Sequence, residues 1–181
     1  MDISKELIWK KIITWPEVFE LWHQNEKDNE NWKKLYQQRG YDNWHDWRMS
    51  YAGPLGLDKL SWDYYEIIDP IKTVPNYYGG PFTVWKKYYY GDKDTLPYKD
   101  LLAEQVLRRI DGKVLKLAEN FPKNTNLLGL IHKGRVVIIE GTHRCLAVSW
   151  LAKQGRPLNA RINIALAQSN LSKLPIVGGT K

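Results

Sequence analysis

One strand-to-helix transition constrains the fold of this chain more than any other feature. Residues 136–139 are Val-Val-Ile-Ile, and four β-branched side chains in a row are typical of a buried strand. Residues 140–144 (Glu-Gly-Thr-His-Arg) follow directly, and residues 145–152 are apolar on almost every side of a helix. The pattern predicts a buried helix over residues 142–153 that begins where the strand ends and stops at Gly155.

The first turn of this predicted helix has the properties of an anion site. Its backbone N–H groups lack intrahelical acceptors and lie at the positive end of the helix dipole. Gly141 allows a close approach to the backbone, Thr142 can cap the helix, and His143 titrates near neutral pH. Arg144 can bind a phosphate group through two N–H groups at once. We therefore expect a phosphate-bearing ligand here; in the alternative, Thr142 is only a cap and Arg144 pairs with Glu140 or another acid.

The rest of the C-terminal half predicts a compact α+β layer. Strand patterns cover residues 62–68, 127–132 and 159–167. A tight turn at residues 133–135 completes a hairpin. Helical patterns cover residues 98–110 and about 114–121, and Gly112 is expected to break the helix between them. Residues 82–90 fit a helix or a strand equally well.

The N-terminal part differs in composition from the rest of the chain. Residues 1 to about 90 contain eight of the nine tryptophans, and the pattern of the first 61 residues predicts mainly helices, with Ser4 and Thr14 as N-caps and one short helix over residues 31–38. We therefore divide the chain into a helical, aromatic-rich extension over residues 1–61 and an α+β domain over residues 62–181.

The tryptophans of this extension have two interpretations. Trp44, Trp47 and Tyr51 recur at helical spacing in a helix that Gly53-Pro54 is expected to end, and such a stripe usually packs into a core. We expect it to pack onto the C-terminal layer. In the alternative, the aromatic rings form a platform on which nucleobases stack.

Charge and composition limit the classes of partner. Lysine and arginine exceed aspartate and glutamate by seven, and the pI is about 9.3. A basic balance favours nucleotides, nucleic acid or other anionic partners, although dispersed charges also fit a mildly basic solvated surface. The apolar runs are too short to span a bilayer and the N-terminus lacks a signal-peptide pattern, so we expect a cytoplasmic protein without a membrane partner.

Cysteine and histidine spacing bears on metal and redox chemistry. The single cysteine, Cys145, excludes an intramolecular disulfide and a CxxC site. The four histidines show no HxxxH or HxH spacing, so we expect no metal site built from protein ligands alone.

Residues 138–147 (Ile-Ile-Glu-Gly-Thr-His-Arg-Cys-Leu-Ala), with a strand hairpin before them and Gly155 after the helix, resemble the ParB/sulfiredoxin superfamily. In that superfamily a strand ends in an acid-Gly-x-His/Arg-Arg box, and a helix follows with a small residue three positions after the arginine, as at Ala147. Residues 64–70 resemble its opening strand. The resemblance extends over residues 62–167 and implies a mixed sheet with packed helices.

The branches of the superfamily imply different chemistry. Sulfiredoxins carry a catalytic cysteine immediately before the His-Arg pair, where this chain has Thr142, so reductase activity is not expected. ParB partition proteins bind CTP through related boxes. A third branch contains free-serine kinases, which bind a nucleoside triphosphate at the box and use an upstream acid as a base. Glu66 and Asp69 are the available acids in this chain.

The resemblance therefore implies a nucleotide-binding enzyme that transfers or hydrolyses phosphate, with ATP or CTP as the nucleotide and magnesium carried by its phosphates. The expected phosphate-binding residues are Gly141, Thr142, His143 and Arg144. The candidate catalytic acids and bases are Glu66, Asp69, Glu140 and His143. Two other functions stay open: a non-catalytic module that binds nucleotide or DNA, and a protein-interaction module that uses the aromatic surface.

Overall fold

The computed structural model describes residues 5–102 and 104–179, of which residues 104–111 are described as backbone only. Five strands form one mixed sheet with the order β1-β2-β5-β3-β4. The strands are β1 (Leu7–Ile13), β2 (Trp62–Ile67), β3 (Asn124–His132), β4 (Arg135–Glu140) and β5 (Arg161–Gln168). Only the β3–β5 pair is parallel among these strands; the other neighbours are antiparallel. The predicted α+β class is confirmed.

Helices cover both faces of this sheet. They are α1 (Trp15–Glu26), α2 (Glu30–Gln38), α3 (Trp44–Leu55), α4 (Pro70–Thr73), α5 (Thr83–Trp85), α6 (Glu104–Glu119) and α7 (Thr142–Lys153). A single π-helical turn, Lys86–Tyr90, continues α5. No helix in the described part of the chain is long and apolar enough to cross a bilayer.

The strand β4 shows how the two cores arise. Successive side chains of a strand point to opposite faces of the sheet. Val136 and Ile138 therefore join the core that contains α6 and α7, whereas Val137 and Ile139 join the core that contains α1 and α3. A run of β-branched residues is needed because both faces of this strand are covered.

The Trp-rich helices pack against the sheet, as the sequence predicts. Trp47 and Tyr51 of α3 are buried in the same core as Leu128 and Leu130 of β3, and Trp44 packs partly against that core. The predicted packing of this aromatic stripe onto the C-terminal layer is confirmed. The alternative of base stacking stays a prediction, and it concerns the aromatic rings that keep an accessible face.

The first strand corrects the helical prediction for the N-terminus. Residues 7–13 form β1, which pairs with β2 along the edge of the sheet. Their β-branched and aromatic side chains favour a strand, and pairing with β2 decides the outcome. The segment assigned to the extension thus contributes a strand to the main sheet. Thr14 caps α1 with Glu17, as predicted, whereas Ser4 lies outside the described residues.

Two predicted helix breaks are wrong. The helix α6 continues through Gly112, because a glycine inside a helix costs only about 1 kcal/mol and the burial of Val114 and Ala118 after it offsets that cost. The helix α3 runs past Pro54 and ends at Gly56, which adopts a left-handed conformation with φ of 65°. Residues 83–90, left open between helix and strand, are helical.

Candidate functional site

The junction of β4 and α7 is held by a glycine that no other residue can replace without strain. Gly141 has a φ of 108°, and a Cβ atom on it would lie 2.3 Å from Leu127 Cδ2. Its carbonyl accepts the first backbone hydrogen bond of α7, from Cys145 at 2.9 Å. The N–H groups of the residues between them are not used by the helix and are available to an anion.

Thr142 has a different role from the predicted one. It is the first residue of α7 rather than its cap, and no side chain caps this helix end. Its hydroxyl accepts a hydrogen bond from the buried Tyr98 hydroxyl at 3.3 Å. The helix end therefore depends on Gly141 for its geometry, and the first turn keeps its backbone donors uncapped.

Arg144 pairs with Glu140, which was the alternative that the sequence left open. One guanidinium nitrogen, Nη2, donates to the Glu140 carboxylate, and Nη1 donates to Thr125 Oγ1 at 2.5 Å and to the Asn126 carbonyl at 2.8 Å. The side chain is only 13% exposed. Of its five N–H groups, the Nε group and one on Nη2 remain for a ligand.

Glu140 is the buried acid at this junction. Its second carboxylate oxygen accepts a hydrogen bond from Asn25 of α1 at 2.8 Å, so α1 is tied to the site from the other side of the sheet. Burial raises the pKa of Glu140, while the charge of Arg144 opposes that shift. The charges of Glu140 and Arg144 cancel, so this pair adds no net charge to the cavity beside it.

His143 lies against Trp85, with the two ring centroids 6.2 Å apart in an edge-to-face arrangement. Burial lowers the pKa of His143 to about 4, and the positive charges of Lys113 and Arg144 add to the effect. The imidazole is therefore neutral at physiological pH. A neutral imidazole can accept a proton from a nucleophile, which is the property that a general base needs.

These residues open into a cavity of about 780 Å³ between the two helical layers. One wall comes from α1, α2 and α3, and the other from residues 82–89, α6 and α7. The aromatic side chains in the lining are Trp22, Trp32, Trp47, Tyr51, Phe82, Trp85 and Tyr89. The volume matches the usual size of small-molecule sites, which are concave and mostly apolar with a few polar groups.

The charges in this cavity follow a pattern. Glu26 binds Arg48 in a second buried ion pair, with Arg48 Nη2 at 2.5 Å, and the guanidinium lies 3.6 Å from the centre of the Trp47 ring. Both carboxylates of the lining are thus paired with an arginine. Two further cations of the lining, Lys113 and Arg39, have no carboxylate partner among the described residues. The described lining therefore keeps an excess of two positive charges while His143 is neutral.

The chain matches no family model, no curated protein and no solved structure. The likeness to the ParB/sulfiredoxin superfamily therefore stays a prediction. A fold does not determine a function, which depends on the cavity and the groups that line it.

Two predicted site residues lie elsewhere. Glu66 of β2 is outside the cavity lining and pairs with Lys10 at 2.7 Å and with Arg161 at 3.4 Å. Asp69 accepts a hydrogen bond from the Lys72 backbone and caps α4, outside the lining as well. The structure brings Gly141, Thr142, His143, Arg144 and Glu140 together, and leaves Glu66 and Asp69 apart from them.

Several lining residues are not indicated by any sequence pattern. Asn25, Lys113 and Trp85 come from segments that are far from the β4–α7 junction in sequence and meet it only in the folded chain. The described residues contain no group of three histidine, cysteine or acidic side chains that could hold a metal ion. Cys145 is fully buried, and burial raises its pKa. This thiol packs in the core.

Proposed function

We propose that the cavity binds a nucleotide, with phosphates at the first turn of α7 and the base among the aromatic rings, and that the protein transfers or hydrolyses phosphate. One observation carries this proposal. A single cavity is lined both by the uncapped first turn of α7 and by the half-buried rings of Trp32, Trp85 and Tyr89. Phosphate and base need these two kinds of surface.

The phosphate end is supported by donors and charge. The backbone N–H groups after Gly141 face an anion without a competing cap. Lys113 lines the same cavity, and its positive charge acts on His143 in the first turn of α7. Partial burial lowers the pKa of Lys113, the charge of Arg144 lowers it further, and Glu26 opposes them. A bound phosphate would stabilise the charged form of Lys113, and the charged lysine would stabilise the phosphate in return.

The base end is supported by the aromatic wall. Trp85 and Tyr89 lie with ring centroids 4.6 Å apart, and Trp32 faces the cavity from α2. Stacking on an aromatic side chain contributes about 1–3 kcal/mol per base and tolerates different bases. The residues that form this wall do not fix a preference between ATP and CTP.

The proposed chemistry uses His143 as the base. A water or alcohol oxygen attacks the terminal phosphorus, and its proton passes to the neutral imidazole. The bond between that phosphorus and the bridging oxygen breaks, and the nucleoside diphosphate leaves with the electron pair. Both carboxylates of the lining are paired with arginines, so magnesium would be bound through the phosphates and water.

Binding and turnover are tested separately. Intrinsic tryptophan fluorescence is titrated with ATP and CTP in the wild type and in Trp85→Leu, and phosphate release is measured in the wild type and in His143→Gln. The proposal expects quenching that falls in Trp85→Leu, and turnover that falls by a factor of about 10²–10⁴ in His143→Gln. Quenching without phosphate release to water or to alcohol acceptors would reduce the function to nucleotide binding. No quenching by either nucleotide would contradict the proposal.

A further inference from the structure

The part of the cavity lined by α2 contains a second cation. Trp32, Leu35 and Arg39 line the cavity from α2 and from the residue that ends it. Their spacing of i, i+3 and i+7 places them on one side of the helix. At 1.5 Å per residue, Trp32 and Arg39 are separated by about 10 Å along the helix axis. Trp32 and Leu35 also pack partly against the core that contains α1 and α3, so this side of α2 is held against the cavity.

Arg39 is oriented by a neutral group. Its Nη1 donates to the Tyr51 hydroxyl at 2.8 Å, and no carboxylate pairs with it among the residues that the structure describes. The Tyr51 ring is buried and lies against Gly178, where an added Cβ would come within 2.7 Å of the hydroxyl oxygen. The phenol is therefore held in place, and it orients the guanidinium without neutralising its charge.

The other two arginines of the lining are different. Arg48 and Arg144 each bind a buried carboxylate, so their charges are matched within the fold. A cation that lines a cavity and is positioned by a neutral phenol keeps four N–H donors for a ligand. The lining thus has two separate unpaired cations. One is Lys113, near Trp32, and the other is Arg39, which lies about 10 Å from Trp32 along α2.

We propose that the cavity binds a second phosphate group in addition to the phosphates at the first turn of α7. Arg39 binds this second phosphate, on the ribose side of the nucleotide. This proposal rests on the proposed function, since the first phosphate occupies the Lys113 end. The second phosphate has two chemical sources: the same nucleotide, phosphorylated on its ribose, or a separate phosphorylated acceptor. Both present the same group to Arg39.

The experiment compares adenosine 5′-monophosphate with adenosine 3′,5′-bisphosphate by calorimetric titration. The wild type is expected to bind the bisphosphate about tenfold or more tightly, because a charge-assisted hydrogen bond to phosphate is worth at least that factor. Arg39→Gln is expected to bind the bisphosphate no better than the monophosphate, while its affinity for the monophosphate stays unchanged. Lys34→Gln, on the same helix and outside the lining, is the matched control and should behave as the wild type.

A second arm distinguishes the source of the phosphate. Inorganic phosphate is titrated into protein saturated with adenosine 5′-monophosphate; binding that is lost in Arg39→Gln indicates a separate phosphorylated acceptor. Tyr51→Phe keeps the ring and removes the hydroxyl that orients Arg39, so it should lose part of the same selectivity. Monophosphate binding that depends on Lys113, with no gain from a second phosphate in either arm, overturns this inference alone. If neither adenosine phosphate binds and ATP and CTP do not bind either, the proposed function fails with it.

Discussion

The Arg144 guanidinium joins the end of β4 to the beginning of β3, because it binds the Glu140 carboxylate and the Thr125 hydroxyl at the same time. The sequence suggests Arg144 as a phosphate ligand, but its main contacts hold the framework of the site together. The hydrogen-bond donors that remain for the proposed phosphate are the backbone N–H groups of α7, Lys113 and the unused N–H groups of Arg144.

The Glu140–Arg144 pair is expected to be strongly coupled. Removing one partner leaves a charge in a site where the side chains are only 10% and 13% exposed, so Arg144→Met should destabilise the protein by about 3–5 kcal/mol. The double variant Glu140→Gln/Arg144→Met should cost less than the sum of the two single changes. Urea unfolding of all four proteins gives the coupling energy.

The exposed pair of Lys11 and Glu17 is the matched control for this cycle. Its coupling should stay below about 1 kcal/mol, because water screens the two charges. Additive effects at Glu140 and Arg144 would show that the buried pair is not the framework that its contacts indicate.

Gly141→Ala should destabilise the chain more than Gly155→Ala. Both glycines have positive φ, which costs an alanine of order 1 kcal/mol, but only at Gly141 does the added Cβ collide with a neighbour, Leu127. We expect the Gly141 variant to lose about 1–3 kcal/mol more, measured by thermal and urea unfolding. Equal losses in the two variants would mean that Leu127 moves away at little cost.

Stability should depend on pH through His143. The folded chain keeps this imidazole neutral down to a pKa of about 4, whereas the unfolded chain protonates it near 6.5. The unfolded state therefore binds more protons between these values, and stability falls as the pH drops from about 6.5 to about 4. The loss from this residue is up to about 3 kcal/mol.

His143→Gln should flatten this part of the stability profile, measured as the free energy of unfolding in urea at a series of pH values. The surface variant His45→Gln is the control, because its imidazole is exposed and lies outside the cavity lining. The same slope in the wild type and in His143→Gln would contradict the half-buried, neutral state of His143.

The sequence predicts the central part of the fold because local patterns decide it. The β-branched run of β4, the single residue Gly141 and the apolar helix α7 specify a strand, a sharp junction and a buried helix without help from the rest of the chain. The alternation of apolar and polar residues in the short strands is also a local pattern. These are the segments in which prediction and structure agree.

Pairing and packing over long distances decide what the sequence does not predict. The strand β1 forms because β2 offers it an edge, and α6 continues through Gly112 because Val114 and Ala118 after it are buried. The partner of Arg144 and the position of Lys113 depend on side chains that meet only after folding. Glu66 and Asp69 were chosen as upstream acids by resemblance, and the sheet places Glu66 in contact with Lys10 instead.

The most direct test of the proposed nucleotide site is calorimetric titration with ATP, CTP, ADP and pyrophosphate, each with and without magnesium. It is carried out on the wild type, on Lys113→Ala and on Lys116→Ala, an exposed lysine of α6 outside the cavity lining. We expect a nucleotide to bind the wild type and Lys116→Ala alike, and to bind Lys113→Ala about tenfold or more weakly. No binding to the wild type, or equal binding by all three proteins, would contradict a nucleotide site at the first turn of α7.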